Sequence, residues 1–217
     1  MIGSVGEGKS SLCNVLAGKD HNSTEFPIRP NQKQITVSKF VNWHGTGEKI
    51  LLIDTPGLDM AKEKAKVDET FCEITNELKR QGDLQVFAIV LNGTNIRIDQ
   101  SRKRLVRKLK ETFGQEFLEN NIVFVITHWH FDKASLERRK RVRQDETLWQ
   151  NSLNKTLQDF GRANPIGVRA VFIDVRHGDE IEEVEKFHEA IEELKSCFDM
   201  FPSYSFRNLQ SPNHPID

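Results

Sequence analysis

Apolar residues along the chain alternate between short continuous runs and longer stretches in which they recur at helical spacing. Ile50-Leu51-Leu52-Ile53 is one such run, as are residues 84–91 (Leu-Gln-Val-Phe-Ala-Ile-Val-Leu) and 121–127 (Asn-Ile-Val-Phe-Val-Ile-Thr). Such runs predict strands covered on both faces, and residues 169–175 give one more. Residues 37–43 and 49–54 flank the turn His44-Gly45-Thr46-Gly47-Glu48, which predicts a hairpin. Helical spacing places Val67, Phe71, Ile74 and Leu78 on one face of a helix over 60–81, ended by Gly82. Leu105, Val106, Leu109 and Phe113 do the same over 99–113. A long helix from near Ser135 to Gly161 turns Val142, Trp149, Leu153, Leu157 and Phe160 inward, and a last one over 180–198 turns Ile181, Val184, Ile191 and Leu194 inward. Strands alternating with helices predict an α/β domain over 1–198, with a mostly parallel central sheet, helices on both faces and one antiparallel strand. Such sheets bind ligands beyond the carboxyl ends of their strands. Residues 199–217, with Pro202, Pro212 and Pro215, read as a loosely held tail.

The chemistry begins at the amino terminus. Gly3-Ser4-Val5-Gly6-Glu7-Gly8-Lys9-Ser10-Ser11 fits a phosphate loop. Polyphosphate needs consecutive backbone N–H groups turned inward, and glycine permits the turns without a side chain in the way. Lys9 then reaches the outer phosphates, and the Ser10 hydroxyl supplies an oxygen to magnesium. A helix from Ser10 to Ala17 points its unpaired amides and positive dipole end at the same place. Only Met1 and Ile2 precede Gly3, where a buried strand of about five or six residues is usual. The first strand is expected to be nearly absent, most simply through loss of residues from the amino terminus.

Residues 18–34 are polar, contain Pro27 and Pro30, and read as a mobile loop. In a nucleotide switch a threonine near here completes the magnesium shell; Thr36 is the first candidate and Thr24 the second. The run ending at Ile53 delivers Asp54-Thr55-Pro56-Gly57, which puts the Asp54 carboxylate near the magnesium waters and the Gly57 amide near the terminal phosphate.

Composition narrows the field. The 217 residues suffice for one α/β domain. Lys+Arg 31 against Asp+Glu 32 removes a global electrostatic case for nucleic acid or anionic membrane. Cys13, Cys72 and Cys197 lack metal-ligand spacing and suit a reducing, cytoplasmic setting. No apolar run is long enough to span a bilayer. The basic run 138–143 reads as a solvated helix face.

Taken together, the phosphate loop, Asp-Thr-Pro-Gly-Leu, the box Asn92-Gly93-Thr94-Asn95 with Arg97, and Thr127-His128 resemble the immunity-associated (GIMAP, or AIG-type) GTPases, relatives of septins and chloroplast Toc receptors. The resemblance runs from Gly3 to about Phe198. It implies GTP or GDP with magnesium (Mg2+), weak hydrolysis by the monomer, homodimerisation across the nucleotides, and peripheral membrane contact in some members. It also implies that Thr127 and His128 lie at the base, His128 packing on it or hydrogen-bonding it, and that Asp174 belongs to a second base-contacting loop. Guanine is usually selected by an aspartate three residues after the position of Thr127; here that position is His130, with Asp132 two residues beyond. Leu58 stands where small GTPases commonly place a water-orienting glutamine, which predicts slow turnover. Arg97, by family position, is the group a partner subunit would supply to catalysis beside Lys9. A non-hydrolysing GTP-bound scaffold and a phosphate-loop kinase are the rival readings, the kinase lacking an evident lid or acceptor site.

Overall fold

The computed structural model describes residues 1–21, 23, 26, 35–58, 60, 64–94, 99–159 and 169–206, with side chains except at 38–40, 45 and 64. Thr24, Arg97 and most of the loop 18–34 lie outside that set.

Three strands form a parallel sheet: β4 (Phe87–Asn92), β5 (Ile122–Thr127) and β6 (Ala170–Phe172), in the order β4-β5-β6. Registers run from Phe87 opposite Ile122 to Asn92 opposite Thr127, and from Phe124 opposite Ala170 to Ile126 opposite Phe172. Successive side chains of a strand point to opposite faces, so each run fills two cores at once. Ile89, Leu91, Phe124, Ile126 and Phe172 pack with α2 (Lys64–Gln81), α3 (Gln100–Phe113), α4 (Gln115–Asn120) and α6 (Glu146–Asp159) through Phe71, Leu109, Phe117 and Trp149. Ala88, Val90, Val123, Val125 and Val171 face the other way, onto Leu12 and Leu16 of α1 (Lys9–Leu16) and Phe187, Ile191 and Leu194 of α7 (Ile181–Met200). This two-sided covering is why the runs carry no polar alternation.

The hairpin forms as expected. β1 (Thr36–Asn42) and β2 (Lys49–Asp54) pair antiparallel, Thr36 opposite Asp54, around a short 3-10 turn at Trp43–Gly45. The first strand is reduced to one bridge: Ile2 N donates to Ala88 O at 2.9 Å, and Val90 N donates to Ile2 O at 2.8 Å, parallel to β4. The Met1 ammonium donates to Ile53 O at 2.6 Å, so the opening residues lie between β2 and β4. At the amino-terminal ends of those strands, a cavity of about 260 Å³ is lined by Ile50, Leu52, Val86, Phe87 and Trp43, among others.

Several expectations are corrected. The long helix from Ser135 is two helices, α5 (Lys133–Arg141) and α6, because Arg143 adopts φ 52° and Asp145 starts a new helix by accepting from Leu148 N at 2.7 Å. Val142, at that corner, is 62% exposed rather than inward. Ile181 is exposed too, since it occupies the free first turn of α7. The strand expected from Leu84 begins at Phe87; β3 (Asp83–Leu84) pairs instead with β7 (Tyr204–Ser205). The Asn121 amide donates to Gln85 O at 2.7 Å and Pro202 O at 2.8 Å, satisfying backbone where the chain leaves that pairing. Of residues 199–217, those to Phe206 are described, and Phe206 is fully buried among Phe87, Phe113 and Phe117.

Candidate functional site

The loop 3–8 connects the Ile2 bridge to α1, and its shape follows from a few backbone requirements. Gly8 sits at φ 86°, left-handed backbone that side chains other than glycine seldom adopt. A Cβ there would also lie 3.3 Å from Thr127 Oγ1 and 3.4 Å from His128 Cε1. Thr127, at the carboxyl end of β5, clamps the loop by donating its hydroxyl to Glu7 O at 2.7 Å. On the other side Leu58 N donates to Gly3 O at 3.0 Å, and Gly57 lies so close that a Cβ would fall 2.8 Å from Val5 Cα. The segment after β2 is therefore held directly against the loop.

Lys9 is buried and folds back to donate to Ser4 O at 2.9 Å. Burial pushes its ammonium below the ordinary lysine value, against the opposing pull of Asp54 and Glu7. Gly8 caps α1 without a side-chain acceptor, so the helix start offers its amides to an anion. Ser11 is buried beneath the first turn. The Ser10 hydroxyl donates to Asp54 Oδ2 at 2.6 Å, and the register of the hairpin sets Thr36 beside Asp54. Hydroxyl and carboxylate oxygens thus converge at the foot of the loop, the donor set that magnesium favours. Among the described residues no cluster of three His, Cys, Asp or Glu side chains could hold a metal.

Glu7 entered the sequence reading only as part of the backbone cradle. Its carboxylate accepts from Asn92 N and lies 3.3 Å from Arg102 Nη2. Both side chains are less than a tenth exposed, and the Arg102 guanidinium lies over the Trp149 ring at 5.8 Å. The one hint was an acid in an otherwise small-residue loop.

Beyond β5 the chain turns through His128, at φ 55°, and buries Trp129 against Phe172 and the Arg139 guanidinium, the latter at 4.3 Å. Burial first, then the charges of His130 and Arg176, push the His128 imidazole below its ordinary value. His130 Nδ1 is 2.8 Å from Asp174 Oδ2, while Asp174 Oδ1 accepts from Arg176 N at 3.0 Å. Asp132 caps α5, accepting from Ser135 N at 2.9 Å. Gly3 to Ser11, Asp54, Gly57, Thr127 and His128 are thus brought together, with Asp174 one loop farther out and Arg97 outside the described residues. None of these residues lines the cavity of about 260 Å³ beside β2 and β4.

Solved structures place this architecture among the phosphate-loop GTPase folds. A dimerisation-deficient mutant of Toc33 from Arabidopsis thaliana gives a TM-score of 0.65 at 22% identity, covering 92% of this chain and 81% of that one. A second structure, of the chloroplast translocon components atToc33 and psToc159, gives 0.62 at 21% identity, covering 98% and 84%. Era, in complex with MgGDPNP and part of 16S ribosomal RNA, gives 0.53 at 16% identity, covering 100% and 58%. No curated protein sequence matches the chain. Residues 1–200 match the AIG1 family, and the chain belongs to that family.

Proposed function

We propose that this protein binds GTP and GDP with magnesium and hydrolyses GTP slowly, acting as a switch whose GTP form dimerises. The observation that carries the reading is the contact of Ser10 with Asp54 at 2.6 Å beneath a loop that Thr127 clamps from behind. In this reading the amides of the loop and of the α1 start bind the phosphates, and Lys9 exchanges the Ser4 carbonyl for phosphate oxygens. Ser10, Asp54 and Thr36 are the residues that would hold magnesium, which when bound neutralises charge on the phosphate oxygens.

Slow turnover is supported by Leu58. Its side chain is 2% exposed and its amide is tied to Gly3 O, so position 58 presents nothing that could orient a water. Arg97 from a partner subunit is the proposed source of the missing charge, with dimerisation across the nucleotide face. Dimerisation is a theme of the Toc33 structures, and family membership supports extending it to this chain. A cytoplasmic location is supported by three free thiols. No helix among the described residues is long and apolar enough to cross a membrane.

The test is thermal stabilisation by GTP, GDP and ATP, each with magnesium, in the natural protein and in Lys9→Met. GTP and GDP should raise the melting temperature of the former only. A Lys9→Met protein that holds GTP as tightly as the natural one removes the reading. The burial of Leu58 also favours the scaffold alternative, in which GTP outlasts a long incubation even in the dimer.

A further inference from the structure

The position that usually selects guanine carries His130, and the structure determines which of its nitrogens is available. Nδ1 faces Asp174 Oδ2 at 2.8 Å, and Asp174 is 3% exposed. A carboxylate only accepts, so the ring proton of neutral His130 resides on Nδ1 and Nε2 keeps its lone pair. Nε2 makes no hydrogen bond to a described residue, and the His130 side chain is 41% exposed. Both Asp174 oxygens are engaged within the fold, one by His130 and one by Arg176 N. Asp132 is spent on the α5 cap. The Arg139 guanidinium donates to His130 O at 2.6 Å and lies on Trp129, fixing the backbone that carries the ring.

We infer that His130 is the base-selecting residue of this site, offering one acceptor nitrogen where an aspartate would offer two oxygens, with Asp174 as its positioning residue. The inference rests on the nucleotide reading above and deepens it. A single acceptor takes the N1–H of guanine or hypoxanthine and meets a lone pair at N1 of adenine. The 2-amino group of guanine, which a carboxylate would engage with its second oxygen, has no counterpart. The site therefore accepts 6-oxopurine triphosphates as a class, GTP and ITP alike, and disfavours ATP.

The experiment measures dissociation constants for GTP, ITP and ATP with magnesium at pH 8, in the natural protein, His130→Ala and Asp174→Asn. GTP and ITP should agree within about threefold, and ATP should bind about tenfold more weakly or worse, the scale of one lost hydrogen bond and an unpaired lone pair. His130→Ala should bring GTP and ATP within about threefold of each other. Asp174→Asn is the sharper variant. Arg176 N–H keeps the amide oxygen at the Oδ1 place, so the amide NH2 faces Nδ1, the ring proton moves to Nε2, and preference shifts toward ATP. A GTP preference over ITP above about tenfold, or a GTP-to-ATP ratio untouched by both variants, overturns the inference while leaving Lys9-dependent GTP binding intact. Absence of Lys9-dependent binding of any triphosphate overturns both readings together.

Discussion

Glu7 and Arg102, 95 residues apart in the chain, meet at 3.3 Å inside the protein and tie the phosphate loop to the first turn of α3. Asn92 N joins them from the end of β4. Removing one member of such a pair leaves the other charged and buried, which costs about 3–5 kcal/mol. Arg102→Met should lower stability on that scale and loosen nucleotide binding with it. Combining it with Glu7→Gln should restore part of the loss, because the stranded charge goes too. Denaturant unfolding of the four proteins in a double-mutant cycle measures this; strictly additive losses would show that the pair is not coupled.

Thr127 offers a second point of attack. Its hydroxyl is fully buried, donates to Glu7 O at 2.7 Å, and lies 3.0 Å from His128 Nδ1. Thr127→Val keeps the shape and strands the Glu7 carbonyl, a loss of about 1–3 kcal/mol. GTP dissociation should quicken in stopped-flow release, whereas an unchanged rate would deny the clamp a part in nucleotide retention.

Removal of magnesium separates the foot of the loop from its cradle. If Ser10 holds magnesium as proposed, Ser10→Ala should weaken GTP binding about tenfold or more when the metal is present. In EDTA the variant and the natural protein should bind alike. A deficit that persists in EDTA would mean that Ser10 acts only by holding Asp54.

His128 makes stability depend on pH in a definite direction. Its imidazole is held below the ordinary value, chiefly by burial, so the unfolded chain takes up a proton that the folded chain refuses. The stabilisation is complete above about pH 6.5, the unperturbed value, and declines as pH falls through the depressed folded value. Melting temperatures between pH 7.5 and 5.5 should fall more steeply for the natural protein than for His128→Gln. Equal slopes would discard the assignment.

The sheet was legible in the sequence because burial on both faces leaves a mark that needs no partner to read: residues 87–91 and 122–126 admit no polar position. Phosphate-loop chemistry was legible for the same reason, being written in adjacent residues. What escaped depends on residues far apart. Nothing near Glu7 announces Arg102, and nothing near His130 announces Asp174. Val142 continued the helical spacing by coincidence, while the left-handed Arg143 that breaks the helix is a backbone choice that arginine seldom makes. Three prolines concealed that Phe206 completes an aromatic cluster, because composition reports average polarity and not where one ring is wanted.

The corner between α5 and α6 reaches farther than its own turn. Gln144, released from helix there, donates its side-chain amide to Gly93 O at 2.7 Å, just where the chain leaves β4 toward Arg97. A cross-tie thus runs from the corner that follows α5 to the residue that follows β4, and so joins two loops at the carboxyl ends of neighbouring strands. Breaking the helix there frees a side chain that pins a loop 51 residues earlier in the chain, a tie that an unbroken helix would forfeit.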